Sequence, residues 1–376
     1  MKTLLTFGSG RLGAAVVDQL AIRFPDWRFV VVSRDATKGA ERINLSKYVL
    51  AQWGLYPRLE HRSADVMDVD ACAELIADVD PEIIFNATTP FPWWKIASLP
   101  DNLGDVADRA GPGMWAALDC VLPLKICKAI EAAERSPIFV NGCYPDLTNT
   151  FLSGMPHGPQ LGIGNISNLI PGLQLAYATN WGVEPLTVKV RVIGHHFTSL
   201  NGPSTDDVTP APYILEVVGE DSRVLIEGPS AEPFQLLRRF AKRTRGVEGQ
   251  GVTVGSASTL LAHLMSGEGG QAHSPGALGL PGGYPVTIGA TGGVALNLPV
   301  GISPEMAQAI NERAQYFDGT QSVVAGRAIA SETALAAQRQ ILGTMFAEVN
   351  ISNCEDIARE SVRTLNERWK LGLVAL

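Results

Sequence analysis

Residues 3–7, TLLTF, read as a buried strand. Gly8, Gly10 and Gly13 follow, and AAVVDQLAIRF then takes up the spacing of an amphipathic helix. RFVVVS predicts a second buried strand and KGAERINLSKYVLAQWG a helix. LEHRSADVMD predicts a short third strand and turn, DACAELIADV a helix, and PEIIFNATTP a fourth strand. After a long Trp-rich segment, FPWWKIASLPDNLGDVADRAGPGMW, come a helix, LPLKICKAIEAAE, and another buried strand, PIFVNG. Strands alternating with helices predict a parallel sheet covered on both faces. This first domain closes near residue 148.

The second half changes character. LTVKVRVIGHHFTSL, YILEVVG, RVLIEG and YPVTIGATGGVALNLPV predict strands. EPFQLLRRFAKRT, TLLAHLMS, SPEMAQAINERAQYF and SETALAAQRQILGTMFAEV predict helices. The expectation is α/β over 1–148, followed by an α+β substrate domain over 149–376. The last amphipathic helix, CEDIARESVRTLNERW, docks either on its own domain or on a second subunit.

A length of 376 residues suits two such domains. The 38 acidic and 30 basic residues give a net charge of −8, which argues against a nucleic-acid surface. No apolar run approaches the roughly 20 residues of a membrane span. The N-terminus has no small-residue cleavage site, so no signal peptide is expected. The five cysteines are scattered without a CxxC pair, the pattern of reduced cytoplasmic thiols and of neither a zinc site nor a disulfide framework.

The glycine run, between a strand and a helix, is the GxGxxG fingerprint of a dinucleotide-binding Rossmann domain. Gly8 permits the turn, Gly10 lets the backbone approach a pyrophosphate, and Gly13 lets helix and strand pack closely. Arg11 and Leu12 lie in the same loop. The helix N-terminus offers N–H groups to phosphates. Ala87 and Thr88, leaving the fourth strand, complete the expected cofactor contacts. About 20 residues past the glycines an acid would bind the ribose of NAD. Ser33 and Arg34 stand there instead. Ser33 can donate to a phosphate oxygen, and Arg34 can pair with the 2′-phosphate dianion, so NADP(H) is the expected cofactor. In the alternative Asp35 reaches the ribose and NAD(H) binds. Asp65 either contacts the adenine amino group or caps the next helix.

Longer stretches carry a resemblance to the lactate/malate dehydrogenase superfamily over most of residues 1–325. VVSRDATKGAERINLS resembles that family's second strand and following helix, and PIFVNGCYPDLTN its strand and turn, with Asn141 at the family's asparagine. WGVEPLTVKVRVIGHHFTSLNG resembles LGVxPxxVxxxVIGEHGDS without a gap and places His196 on the catalytic histidine. VGSASTLLAH and YPVTIGATGGVALNLP resemble later elements. SADVMDVDACAELIADVDPEIIFNATT is also similar to an extended short-chain reductase, whose Tyr-xxx-Lys pair is absent at the right place.

The departures bear on substrate. Asn168 (Leu169 with a different gap) stands where the family has the Asp that orients the histidine. Pro171 stands at the arginine that binds the substrate carboxylate. The mobile loop keeps Pro112, Gly113 and Met114, then reads Trp115 and Ala116 where a second arginine belongs. An α-keto acid pairs with a guanidinium fork that this chain lacks at both places.

A histidine is suited to proton transfer near neutral pH. His196 is therefore the expected proton donor. Its neighbour His195 is expected on the opposite face of the strand. Asn168 would hold His196 by a hydrogen bond. Asn141 either positions the nicotinamide amide or substrate oxygen, or only ends its strand. Phe91, Trp93, Trp94 and Trp115 either line an apolar substrate pocket or pack a lid or a dimer contact. The leading expectation is a homo-oligomeric, NADP-dependent oxidoreductase acting on a small carbonyl/alcohol substrate without the usual carboxylate. The alternatives are imine reduction, as in opine dehydrogenases, and a non-catalytic nucleotide-binding protein.

Overall fold

A computed structural model describes residues 1–205 and 207–376. The strands β1 (Thr3–Phe7), β2 (Arg28–Ser33), β3 (Arg58–Ser63), β4 (Ile83–Asn86), β5 (Ile138–Asn141) and β6 (Leu161–Gly162) make one parallel sheet in the order 3-2-1-4-5-6. All of β1 is buried, as a central strand covered on both faces requires. The strand order reverses between β1 and β4. That opens a crevice at their carboxyl ends, where ligands of such sheets bind.

The connections are α1 (Arg11–Arg23), α2 (Ala36–Ala51), α3 (Val69–Val79), α4 (Trp93–Ala97), α5 (Leu103–Ala110), α6 (Ala116–Ala132) and α7 (Pro145–Phe151). Asp35 caps α2 by accepting from the Lys38 N–H at 2.9 Å, and Asp68 caps α3 by accepting from the Ala71 N–H at 3.0 Å.

The rest of the chain is α+β, as expected. It runs through α8 (Ile170–Trp181), β7 (Lys189–Ile193), α9 (His196–Asn201), β8 (Ile214–Val218), β9 (Arg223–Glu227), α10 (Glu232–Phe240) and α11 (Gly251–Ser266). Then follow β10 (Gly270–Pro275), β11 (Gly283–Ile288), β12 (Val294–Leu296), α12 (Pro304–Ala314), β13 (Thr320–Val324), β14 (Arg327–Ala330), α13 (Glu332–Ile341), β15 (Glu348–Asn350) and α14 (Cys354–Trp369). Strands β7–β9, β10–β12 and β13–β15 form three small antiparallel sheets.

The expected division at residue 148 falls inside the span of the parallel sheet, because β6 lies at Leu161–Gly162. The chain's last segment also returns to the first core. Ile341, Val349, Val362 and Leu365 share one apolar cluster with Leu5, Val32, Ile84 and Val121. Helix α14 docks on α6 of its own chain. The Cys354 thiol donates to the Ala117 carbonyl at 3.5 Å, and Lys125 pairs with Glu355 at 2.7 Å. All five cysteines are free and buried. No helix among the described residues is long and apolar enough to cross a membrane, and none of their side chains cluster as a metal site.

Candidate active site

The glycine loop joins β1 to α1 beside the end of β4. Gly8 has φ +109°, and a Cβ there would stand 2.7 Å from the Ala87 carbonyl oxygen. A Cβ on Gly13 would stand 2.1 Å from the Gly8 carbonyl oxygen. Gly10 is the opposite case: it is exposed, a Cβ there would meet nothing within 4 Å, and no side chain caps α1. Two glycines thus bring backbones together while the third leaves room above uncapped helical N–H groups. That is the cradle a pyrophosphate fits. The Ala87 N–H donates to the Phe7 carbonyl at 2.8 Å, and the Thr88 N–H and hydroxyl donate to Asn86 Oδ1 at 3.0 and 2.5 Å. Leu12 is half-buried, and Arg11 donates to the Val247 carbonyl at 3.4 Å. Gly13→Ala forces the loop off α1 and is expected to lower stability by about 1–3 kcal/mol, read from the urea midpoint at constant slope.

At the end of β2, Arg34 is exposed and Ser33 Oγ lies 2.9 Å from His61 Nε2. Asp35 caps α2 and also pairs with Lys38 Nζ at 3.7 Å, so its carboxylate is engaged at the helix start. Asp65 is exposed and accepts from the Met67 N–H at 3.0 Å. The cap of α3 is Asp68, which removes capping as the role of Asp65.

The chemistry gathers where β7 passes into α9. Strand geometry ends at Ile193, and α9 begins at His196. The alternation expected of His195 and His196 therefore does not hold, and both rings converge on Asp318. The His196 Nδ1–H donates to Asp318 Oδ1 at 3.0 Å. The His195 Nδ1–H and the Phe197 N–H, the latter at 2.6 Å, donate to Oδ2. The rings differ in access: His195 is 1% exposed, His196 23%. His196 is also held by its backbone, whose N–H donates to Asp146 Oδ1 at 3.1 Å. Asn165 donates to the other Asp146 oxygen.

Asp318 ends the turn after α12. The backbone of residues 110–114 runs so close that a Cβ on Gly319 (φ +86°) would stand 2.3 Å from the Ala110 carbonyl oxygen. Burial pushes the Asp318 carboxyl up. The charges of His196 and His195 and their hydrogen bonds outweigh this and hold it well below the usual carboxylate range. Burial pushes His196 down, but the Asp318 charge and hydrogen bond, with Asp146 behind them, raise it to about 9.

Sequence reasoning named other partners. Asn168 does not hold His196: its Nδ2 donates to Thr253 Oγ1 at 3.0 Å, and Asp318 occupies the orienting role. Asn141 is fully buried and fully bonded. Its Nδ2 donates to the Cys143 carbonyl and to Asn149 Oδ1, and its Oδ1 accepts from Asn86 Nδ2 and the Cys143 N–H. Every hydrogen-bonding group on Asn141 is thus engaged within the protein: with the Cys143 backbone in the turn after β5, with Asn86 at the end of β4 and with Asn149 on α7. Phe91 and Trp115 are buried with rings 5.7 Å apart, whereas Trp93 and Trp94 are 46% and 43% exposed. Asp318 and Asp146, which hold His196, were missed. Only the Asp-Gly turn signal in QYFDG marked one of them.

No protein-family model matches the chain, and no curated protein matches it. Solved structures do. Malate dehydrogenase of Cryptosporidium parvum superposes with a TM-score of 0.53 at 10% identity, covering 84% of this chain and 98% of that one. Malate dehydrogenase of Plasmodium falciparum in complex with NADH gives 0.52 at 10%, covering 84% and 95%. Lactate dehydrogenase of C. parvum, complexed with lactic acid and nicotinamide adenine dinucleotide, gives 0.50 at 12%, covering 84% and 96%. The chain has the malate and lactate dehydrogenase fold.

Proposed function

We propose that this protein is an oxidoreductase that binds a nicotinamide dinucleotide, NADP(H) in preference to NAD(H), and interconverts a carbonyl and an alcohol. The observation that carries the reading is the buried Asp318 carboxylate holding Nδ1 of the half-open His196. The glycine cradle and the complexes of the fold neighbours support the cofactor class.

Gly8, Gly10 and Gly13, with the N-terminus of α1, would hold the pyrophosphate, and Ser33 and Arg34 the adenosine end. When bound, the nicotinamide supplies or takes the hydride. The protein's task is the proton. With Nδ1–H directed at Asp318, Nε2 is the nitrogen left for substrate. The imidazolium gives its Nε2 proton to the oxygen of the carbonyl being reduced, and Asp318 stabilises the charged form before transfer. Asp146 fixes the backbone from which the ring projects. In the oxidative direction neutral His196 takes the alcohol proton.

NADPH oxidation measured with a panel of ketones, the same ketones plus amines, and no added substrate tests the reaction. Oxidation that needs a ketone alone supports the proposal. Oxidation only with an amine present moves it to imine reduction, and none with any compound removes it. For the cofactor, NADP(H) is expected to bind more tightly than NAD(H), with Arg34→Ala weakening only the former. Fluorescence titration of both reduced cofactors reads this, and equal affinities in the unaltered protein would overturn it. The capping role of Asp35 supports the same preference, since it engages the acid that could otherwise reach a ribose.

A further inference from the structure

Asp119 is a buried acid that the proton chemistry leaves unused. It projects from the first turn of α6 and is 7% exposed. Its Oδ1 accepts a weak hydrogen bond from the Cys143 thiol at 3.6 Å, and among the described residues its Oδ2 accepts none. Cys143 is followed in the chain by Tyr144, 9% exposed and in the left-handed region at φ +36°. A tyrosine there is a backbone outlier of the kind found at functional sites. Its ring lies edge-on to His196 at 5.8 Å and to His195 at 6.3 Å between centroids. Its hydroxyl is buried without a hydrogen-bond partner. A buried, unpartnered hydroxyl is costly unless something completes it.

Carboxylates outnumber the cations around this site, and the cations are the two histidines. The charges acting most strongly on Tyr144, His196, Asp146 and Asp318 come from Asp318, Asp146, Asp119, Asp108 and the two histidines, none from Lys or Arg. Both histidines are already engaged with Asp318. Ala116, at the position matched to a substrate-binding arginine, lies one turn before Asp119 on the same face of α6. The helix face that would offer a cation offers an acid, whose carboxyl burial pushes up to about 7 and which an ammonium beside it would hold ionised.

We propose that Asp119 and the Tyr144 hydroxyl recognise a protonated amine carried by the substrate beside its reacting carbon. This rests on the oxidoreductase reading and names the substrate class for it. An ammonium group has three N–H donors and no acceptor. Asp119 takes one as a charge-assisted hydrogen bond, the Tyr144 oxygen takes another, and the orphaned hydroxyl is completed. A carboxylate at the same place would face the acid Asp119, and the position matched to its arginine partner holds Ala116.

The test is calorimetric titration of the NADP⁺-saturated protein with three probes of one size: n-butylamine, 1-butanol and butyrate. The amine is expected to bind tightest. Asp119→Asn is expected to weaken it by about tenfold or more and to leave 1-butanol and NADP⁺ affinities unchanged. Tyr144→Phe is expected to weaken the amine while the melting temperature holds or rises, because it deletes an unsatisfied buried group. Butyrate binding as tightly as the amine, no amine binding, or an Asp119→Asn protein that binds the amine unchanged would each overturn the proposal. Failure of NADP(H) itself to bind is a separate result and removes the oxidoreductase reading instead.

Discussion

Replacing His196 with asparagine lowers kcat by about 10²–10⁴-fold, the usual worth of a general acid–base group, and leaves NADP(H) affinity intact. Asparagine keeps a polar side chain of similar reach at Asp318 but has no proton to give at neutral pH. His195→Asn is the control that separates the two rings. His195 is sealed from solvent, so its loss is expected mainly as lower thermal stability, with kcat changed far less. The pH profile adds a signature. With His196 raised to about 9, the reductive rate, which needs the imidazolium, falls as pH rises through about 9. The oxidative rate, which needs the neutral ring, rises over the same range. Equal kcat for the unaltered and His196→Asn proteins would remove this side chain from the proton step.

Asp318→Ala has the largest expected effect on folding. Three donors converge on that carboxylate from His195, His196 and the Phe197 backbone, and removing it leaves them unpaired inside the protein. Breaking a buried pair of this kind costs about 3–5 kcal/mol, read from chemical denaturation. The milder Asp318→Asn keeps one acceptor oxygen and loses the charge. His196 then titrates closer to its ordinary 6.5. The linked stability follows from the signs. The raised His196 contributes stability that is full below 6.5 and is lost as pH climbs to about 9. The depressed Asp318 contributes stability present above its ordinary 3.8 and lost as acid protonates it. Melting temperature against pH should therefore fall on the alkaline side in the unaltered protein and fall less in Asp318→Asn. Identical alkaline limbs would show that the pair is not charged in the native state.

The parallel sheet was legible because its strands are short apolar runs set between helical periods, and because glycines mark where β1 turns into α1. β6 was not, since two residues carry no period. His196 was singled out by an ungapped stretch of local sequence. Its acid was not, because Asp318 arrives from 122 positions away along the chain, and local spacing holds no record of such a partner. Expecting Asn168 in that role carried over a position whose side chain here turns to Thr253. The opposed-faces reading of His195 and His196 applied a strand's period of two across the point where the strand stops. Ser33 was correctly placed at the end of β2. Its contact with His61, on the neighbouring strand, is a consequence of register that no single segment displays.

The return of α14 to α6 gives the chain a timetable. On the ribosome, residues 1–162 emerge with every strand of the parallel sheet, yet the flank of α6 awaits Val362 and Leu365 from α14. The half that carries the parallel sheet is synthesised first and finished last. Until α14 is released, its apolar landing site on α6 is open to other nascent chains and to chaperones, and folding waits on contacts that span nearly the whole sequence.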